Sequence, residues 1–79
     1  MSKEFFDEYK NLGRNIAFYR KKARLTQDGL ALKANVSRGY LSQIEAKNVE
    51  KAPSLDMVFN IAKTLNIPVY KLFMHDDEK

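Results

Sequence analysis

The stretch LTQDGLALKANVSRGYLSQIE, residues 25–45, contains two short amphipathic patterns, each opened by a small hydroxyl residue. Thr26 and Ser37 are residue types that accept hydrogen bonds from the first turn of a helix, so each marks a helix start. Only Asn35 and Val36 separate the two patterns, and asparagine readily adopts the left-handed conformation that a tight turn needs. Two helices joined by so short a turn cross steeply, and the second helix protrudes with the first behind it.

Upstream of this pair, apolar residues at a three/four spacing predict a first helix over residues 3–24. Ser2 is expected to cap this helix. Gly13 lies in the helix interior, where glycine is unfavourable, and therefore disfavours a single rigid rod.

Downstream, Ser54 opens a fourth helical pattern and Asn66 is placed to end it in the left-handed conformation. Pro68 suits the first position of a fifth short helix over residues 68–73. No alternating strand pattern with hairpin signals occurs in the sequence. The sequence therefore predicts an all-α fold of five helices, with one domain over residues 1–74 and a charged tail over residues 75–79.

Composition limits the classes of protein that fit. A chain of 79 residues with 44% hydrophobic residues suits one compact domain. The chain has no cysteine, which excludes disulfides and thiolate metal sites. The charged N-terminal stretch lacks the apolar run of a signal peptide or membrane span, and we expect a cytoplasmic protein with no membrane partner.

Charge is concentrated in the middle of the chain. Ten of the 14 Lys and Arg residues lie between positions 10 and 51, where only three acidic residues occur. A basic block of this kind favours binding to a polyanion such as nucleic acid. A solvated charged surface is the alternative that charge alone leaves open.

The central stretch TQDGLALKANVSRGYLSQIE resembles the lambda-repressor-like, or XRE, family of helix-turn-helix proteins. The likeness continues upstream in LGRNIAFYRKKARL and downstream in APSLDMVFNIAKTLNIPVYKLF, so it covers residues 12–73. Three features depart from the family pattern: Asn35 replaces the usual turn glycine, Gly29 replaces an acidic residue, and the loop after Glu45 is longer than the shortest family versions. The resemblance implies a five-helix DNA-binding domain with the helix-turn-helix at helices 2 and 3.

The function implied by the resemblance is a sequence-specific, double-stranded-DNA-binding transcriptional regulator. It would be a repressor or an autoregulatory controller of the restriction–modification or phage type. Such a protein would use no cofactor, and a protein antagonist is an open possibility.

Candidate base contacts lie on the outer face of the third helix at Arg38, Tyr40, Ser42 and Gln43. A guanidinium can bond guanine O6 and N7 together, so Arg38 is the leading candidate, with a phosphate contact as its alternative. Gln43 could read adenine directly or through water. The Tyr40 ring could equally pack on the domain.

Candidate contacts to the DNA backbone lie at the helix starts and in the loop after the third helix. They are Thr26, Gln27, Ser37, Lys47, Asn48 and Lys51. The free amides of a helix N-terminus favour phosphate, and the resemblance assigns Gln27 to such a contact. The resemblance also implies a structural ion pair between Arg20 and Glu45.

The last predicted helix has more apolar surface than so short a helix can bury within its own domain. The residues that carry this surface are Ile67, Val69, Tyr70, Phe73 and Met74. We expect them to form a homodimer interface, and a two-fold dimer would read a palindromic operator.

Two other classes of protein were compared with this interpretation. An enzyme is disfavoured because the chain has one histidine, no cysteine and no Gly-rich phosphate loop. His75, beside Asp76 and Asp77, provides too few ligands for a convincing metal site. A protein-interaction module, such as an antitoxin or an antagonist-binding partner, is the main alternative. The polar third helix favours DNA, because a protein groove would require apolar anchors.

Overall fold

The computed structural model describes residues 3–48 and 51–78, and the regular structure in these residues is entirely helical. The four α-helices are α1 (Phe6–Lys22), α2 (Gln27–Ala34), α3 (Arg38–Glu45) and α4 (Leu55–Thr64). The 3-10 segments are Lys3–Phe5, Val69–Leu72 and Asp76–Glu78. The predicted all-α class is confirmed, whereas the predicted count of five α-helices is wrong by one.

The predicted fifth helix is a single 3-10 segment, Val69–Leu72. Pro68 precedes it in an extended conformation and contributes no backbone N–H. The segment is closed by bonds from Lys71 N–H to the Pro68 carbonyl and from Phe73 N–H to the Tyr70 carbonyl. Both span three residues, the pattern that short helical segments adopt when no further turn follows.

Helix α1 is continuous through Gly13, contrary to the expectation of a weak point there. A Cβ atom on Gly13 would overlap the carbonyl oxygen of Ile44 on α3. The glycine therefore permits the close approach of two helix backbones. The α-helical part begins at Phe6 rather than residue 3 and ends at Lys22 rather than residue 24. The expected Ser2 cap lies outside the described residues.

Three of the four α-helices end in the same way, with one residue in the left-handed conformation. These residues are Arg24, Asn35 and Asn66, with φ of 62°, 58° and 58°. At each end the next residue donates its N–H to a carbonyl five residues back, as in a Schellman motif. The left-handed conformations predicted for the two asparagines are confirmed.

The core lies between α1, α2, α3 and α4, and the 3-10 segment Val69–Leu72 completes it with the buried side chain of Leu72. Its buried apolar residues are Leu12, Ile16, Leu30, Ala31, Ala34, Leu41, Ile44, Val58, Ile61, Ala62, Leu65 and Leu72. Of the helices described, none is both long and apolar enough to cross a bilayer.

Two asparagines on α1 connect the N-terminal half of the chain to the C-terminal segment. The side-chain amide of Asn15, fully buried, donates to the carbonyls of Leu72 at 2.9 Å and Met74 at 2.7 Å. Asn11 donates to the Met74 carbonyl at 3.1 Å. Because this segment has few backbone partners of its own, these bonds fix it against α1.

Candidate nucleic-acid interface

The pair α2–α3 is built as the sequence predicts, with a hydroxyl cap at the start of each helix. Thr26 Oγ1 accepts the Gly29 N–H at 2.9 Å, and Ser37 Oγ accepts the Tyr40 N–H at 3.0 Å. Both cap residues are exposed, and each capping hydroxyl satisfies only one of the free amides of its first turn. Free amides and the helix dipole make a helix N-terminus favourable for an anion.

A nearly buried ion pair supports α3 from behind. The Arg20 guanidinium on α1 donates through Nε to Glu45 Oε2 and through Nη2 to Glu45 Oε1, both at 3.0 Å. The side chains are 10% and 4% exposed. Arg20 Nη1 also donates to the Leu25 carbonyl at 2.8 Å. The ion pair implied by the family resemblance is thus present.

Gln27, the first residue of α2, joins this pair. Its Nε2 donates to Glu45 Oε1 at 3.1 Å, and the residue is half-buried. The side-chain amide of Gln27 is therefore oriented by the protein, with its backbone at the helix N-terminus. The three side chains connect α1, the start of α2 and the end of α3 in one polar cluster.

The outer face of α3 is polar and exposed. Arg38, Ser42 and Gln43 are all exposed on this face. Gly39 lies among them, and a Cβ atom on it would meet nothing within 4 Å. Hence the face has no apolar anchor and no steric bulk near its N-terminal end, and the backbone there can approach a ligand closely.

Tyr40 differs from the other candidate base contacts. Its ring is half-buried and packs against the core, and the Lys51 ammonium group lies 5.4 Å from the ring centroid. The packing alternative considered for Tyr40 is therefore observed in the structure. A base contact would have to come from the exposed edge of this ring.

Arg38 also forms an ion pair across the turn. Its Nε lies 3.1 Å from Asp28 Oδ1 on α2. The two side chains are 64% and 76% exposed, so water screens the pair. The sequence alone did not indicate a role for Asp28.

The loop after α3 is basic and exposed at Lys47, Asn48 and Lys51. Lys47 borders a shallow groove of about 420 Å³ whose α1 wall is formed by Lys10, Arg14 and Lys21. The basic surface therefore extends further along α1 than the sequence analysis predicted. The sequence contains the pattern that predicts this extension, because the spacing of Lys10, Arg14 and Lys21 places them on one face of a helix.

The comparison with protein families agrees with this geometry. Residues 16–72 match the family model described as helix-turn-helix. The chain belongs to this helix-turn-helix family. The resemblance predicted from the sequence is thereby confirmed, and α2 and α3 are the two helices of the motif.

Individual relatives extend the comparison. The chain is 34% identical to the HTH-type transcriptional regulator SinR of Bacillus licheniformis over 67 residues, 85% of this chain and 60% of that protein. It is 43% identical to the immunity repressor protein of Bacillus phage phi105 over 58 residues, 73% of this chain and 39% of that protein. The chain thus spans less than two thirds of the length of these two relatives.

A solved structure of a helix-turn-helix protein agrees with the family match. The crystal structure of SinR, the master regulator for biofilm formation, in complex with DNA superimposes with a TM-score of 0.73 at 33% identity. The match covers 80% of this chain and 98% of that one. The helix-turn-helix is therefore held in a similar framework in both molecules.

Some residues of the predicted dimer surface pack inside the domain of this helix-turn-helix protein. Ile67 and Val69 are half-buried and pack against the core, and Met74 is half-buried. Tyr70 and Phe73 are 60% and 46% exposed. These two aromatic residues are thus the part of the surface that is free to contact another molecule.

Phe73 also borders an apolar groove of about 390 Å³ on α1. Its other walls are Phe5, Glu8, Tyr9 and Leu12. The groove is lined by Phe5, by the N-terminal half of α1 and by Phe73, and none of its lining residues belongs to α3. An interface on Phe73 would therefore leave α3 free.

In the tail, the His75 N–H donates to Glu78 Oε1 at 2.8 Å. Among residues 3–48 and 51–78, no group of three His, Cys, Asp or Glu residues is arranged to hold a metal ion.

Proposed function

We propose that this protein is a sequence-specific, double-stranded-DNA-binding transcriptional regulator, acting as a repressor or an autoregulatory controller. The observation that carries the proposal is the exposed polar face of α3, where Arg38, Ser42 and Gln43 surround the open position of Gly39. The relatives named as transcriptional regulator and immunity repressor support it. So does the likeness to SinR in its complex with DNA.

The dimensions of α3 suit the major groove. An α-helix with its side chains is about 10–12 Å in diameter, close to the width of that groove in B-form DNA, and α3 has eight residues. With α3 in the groove, Arg38 is positioned to read guanine and Gln43 to read adenine. Ser42 and the exposed edge of Tyr40 complete the proposed set of base contacts.

Backbone contacts would fix the position of α3 without adding sequence information. We assign them to the start of α2, the start of α3 and the following loop. The proposed residues are Thr26, Gln27, Ser37, Lys47, Asn48 and Lys51. The Arg20–Glu45–Gln27 cluster supports this arrangement, since it orients the first residue of α2 relative to the end of α3.

We further propose that the protein binds as a homodimer to a palindromic operator. One recognition helix contacts too few base pairs to select a site in a genome, whereas two copies double the contacts. The exposed aromatic residues Tyr70 and Phe73 are the proposed centre of the interface, with Ile67, Val69 and Met74 at its base. The half-sites would lie about 34–36 Å apart.

The polar surface of α3 favours DNA over a protein partner as its target. Protein interfaces place aromatic or aliphatic anchors at their centre, and the exposed side chains of α3 include none. The proposed role requires no catalytic activity and no cofactor. It places the protein in the cytoplasm, with the DNA that it regulates.

The test is selection of binding sites from random duplexes, followed by affinity measurements at several salt concentrations. We expect selection to return two inverted half-sites, and the logarithm of the affinity to fall linearly with the logarithm of salt concentration. Failure to enrich any sequence, together with no salt-dependent binding to random duplex, would refute the proposed function.

A further inference from the structure

The contact between Arg38 and Asp28 bridges the two helices of the motif on its solvent side. Asp28 is the second residue of α2 and Arg38 the first residue of α3. The Nε atom of Arg38 lies 3.1 Å from Asp28 Oδ1. The carboxylate therefore contacts the inner edge of the guanidinium group, the edge nearest the backbone.

This edge matters because the guanidinium is planar and has its N–H groups in a fixed fork. The ion pair places Asp28 Oδ1 beside Nε, and the outer end of the fork, formed by Nη1 and Nη2, remains available. Two parallel N–H groups at that end match the O6 and N7 acceptors of a guanine in the major groove. The contact at Nε thus favours guanidinium orientations in which the other end points away from Asp28.

We propose that Asp28 is a positioning residue that determines specificity, by orienting Arg38 so that its two terminal nitrogens read a single guanine. The inference rests on the proposed function, since it requires α3 to enter the major groove. Without Asp28, the long Arg38 side chain is free to turn toward a neighbouring phosphate, a contact that is independent of base sequence.

The negative charge of Asp28 acts in the same direction. It lies in the first turn of α2, where the helix dipole favours an anion and where we expect a DNA phosphate nearby. The carboxylate therefore repels the DNA backbone wherever Arg38 finds no guanine to bind. Removal of the charge is expected to strengthen binding to random DNA while weakening discrimination.

The experiment compares Asp28→Asn with wild type on the selected operator and on duplexes changed at one base pair at a time. Asp56→Asn is the matched control, since Asp56 is also the second residue of a helix capped by a hydroxyl residue and is also exposed. Both variants lose one negative charge from a first helical turn. The same duplexes are measured with Arg38→Ala and with the double variant of residues 28 and 38.

We expect Asp28→Asn to reduce discrimination about two- to five-fold, the factor that corresponds to one exposed ion pair. The loss should occur at the base pair that Arg38→Ala relaxes and at no other. In the Arg38→Ala background, Asp28→Asn should change discrimination at that base pair no further. The Asp56→Asn control should discriminate as wild type does.

A uniform change in affinity for all duplexes would overturn the inference, because Asp28 would then act only as a general charge. An equal loss of discrimination with and without the Arg38 side chain would overturn it too. In both cases the wild-type protein still selects an operator, so the proposed function stands. If wild type binds no duplex, the proposed function and this inference fail together.

Discussion

Arg20 and Glu45 form a two-point ion pair between α1 and the last residue of α3, with two N–O distances of 3.0 Å. Both side chains are nearly buried, so removal of either partner leaves the other charge largely desolvated. The pair therefore holds the end of α3 against α1.

Glu45→Ala is expected to lower the free energy of unfolding by up to about 3–5 kcal/mol, because it leaves the Arg20 guanidinium buried without its carboxylate. Urea denaturation measures the change. Asp28→Ala is the control, since it breaks an exposed ion pair and should cost no more than about 1 kcal/mol. A loss within about 0.5 kcal/mol for Glu45→Ala would mean that the pair is hydrated in solution.

Gly13→Ala and Gly39→Ala are expected to change stability in opposite directions. A methyl group on Gly13 collides with the Ile44 carbonyl, and overpacking of this kind costs about 1–3 kcal/mol. A methyl group on Gly39 points into open space, and alanine is up to about 1 kcal/mol more favourable than glycine in a helix. Thermal unfolding followed by circular dichroism compares the two. Equal unfolding midpoints for the two variants would show that α1 and α3 can move apart without loss of stability.

Arg38→Ala is expected to cost about 1–3 kcal/mol of affinity for the selected operator and to relax discrimination at one base pair. Lys47→Ala, by contrast, should weaken binding to all duplexes by a similar factor. It should also reduce the slope of log affinity against log salt concentration by about one, the value for one lost phosphate contact. Titration of labelled duplexes measures both. Equal losses on operator and random DNA for Arg38→Ala would reassign Arg38 to the DNA backbone.

Tyr70→Glu is expected to convert a homodimer into a monomer while the chain remains helical, because the Tyr70 side chain is 60% exposed and contributes little to the core. Light scattering at micromolar concentration follows the mass, and circular dichroism follows the helix content. Leu32→Glu is a control of the same kind at an 84% exposed position on α2. A wild type that is strictly monomeric and binds one non-palindromic site would contradict the dimer model.

The features that the sequence predicted well depend on neighbours in the chain. Thr26, Ser37 and Ser54 cap helices through amides three residues ahead, and these hydrogen bonds are all present. Asn35 and Asn66 end helices through their own backbone preference. Each of these signals lies within one helical turn, so the sequence alone contains it.

The features that were missed depend on partners distant in the sequence or across the turn. Gly13 was interpreted as a weak point because its partner, Ile44, is 31 residues away along the chain. Asp28 was overlooked because its contact to Arg38 exists only after α2 and α3 cross. The fifth helix was predicted from its proline start, but hydrogen bonds that span three residues close this segment, and its Leu72 and Met74 carbonyls accept from Asn15, which is distant in the sequence.

The hydrogen bonds of Asn15 have a consequence for the synthesis of the protein. Its buried amide donates to carbonyls at positions 72 and 74, 57 and 59 residues further along the chain. These bonds connect α1 to the last segment of the core, so the packing of α1 is complete only when that segment is in place. The domain is therefore completed only after residue 74 has left the ribosome.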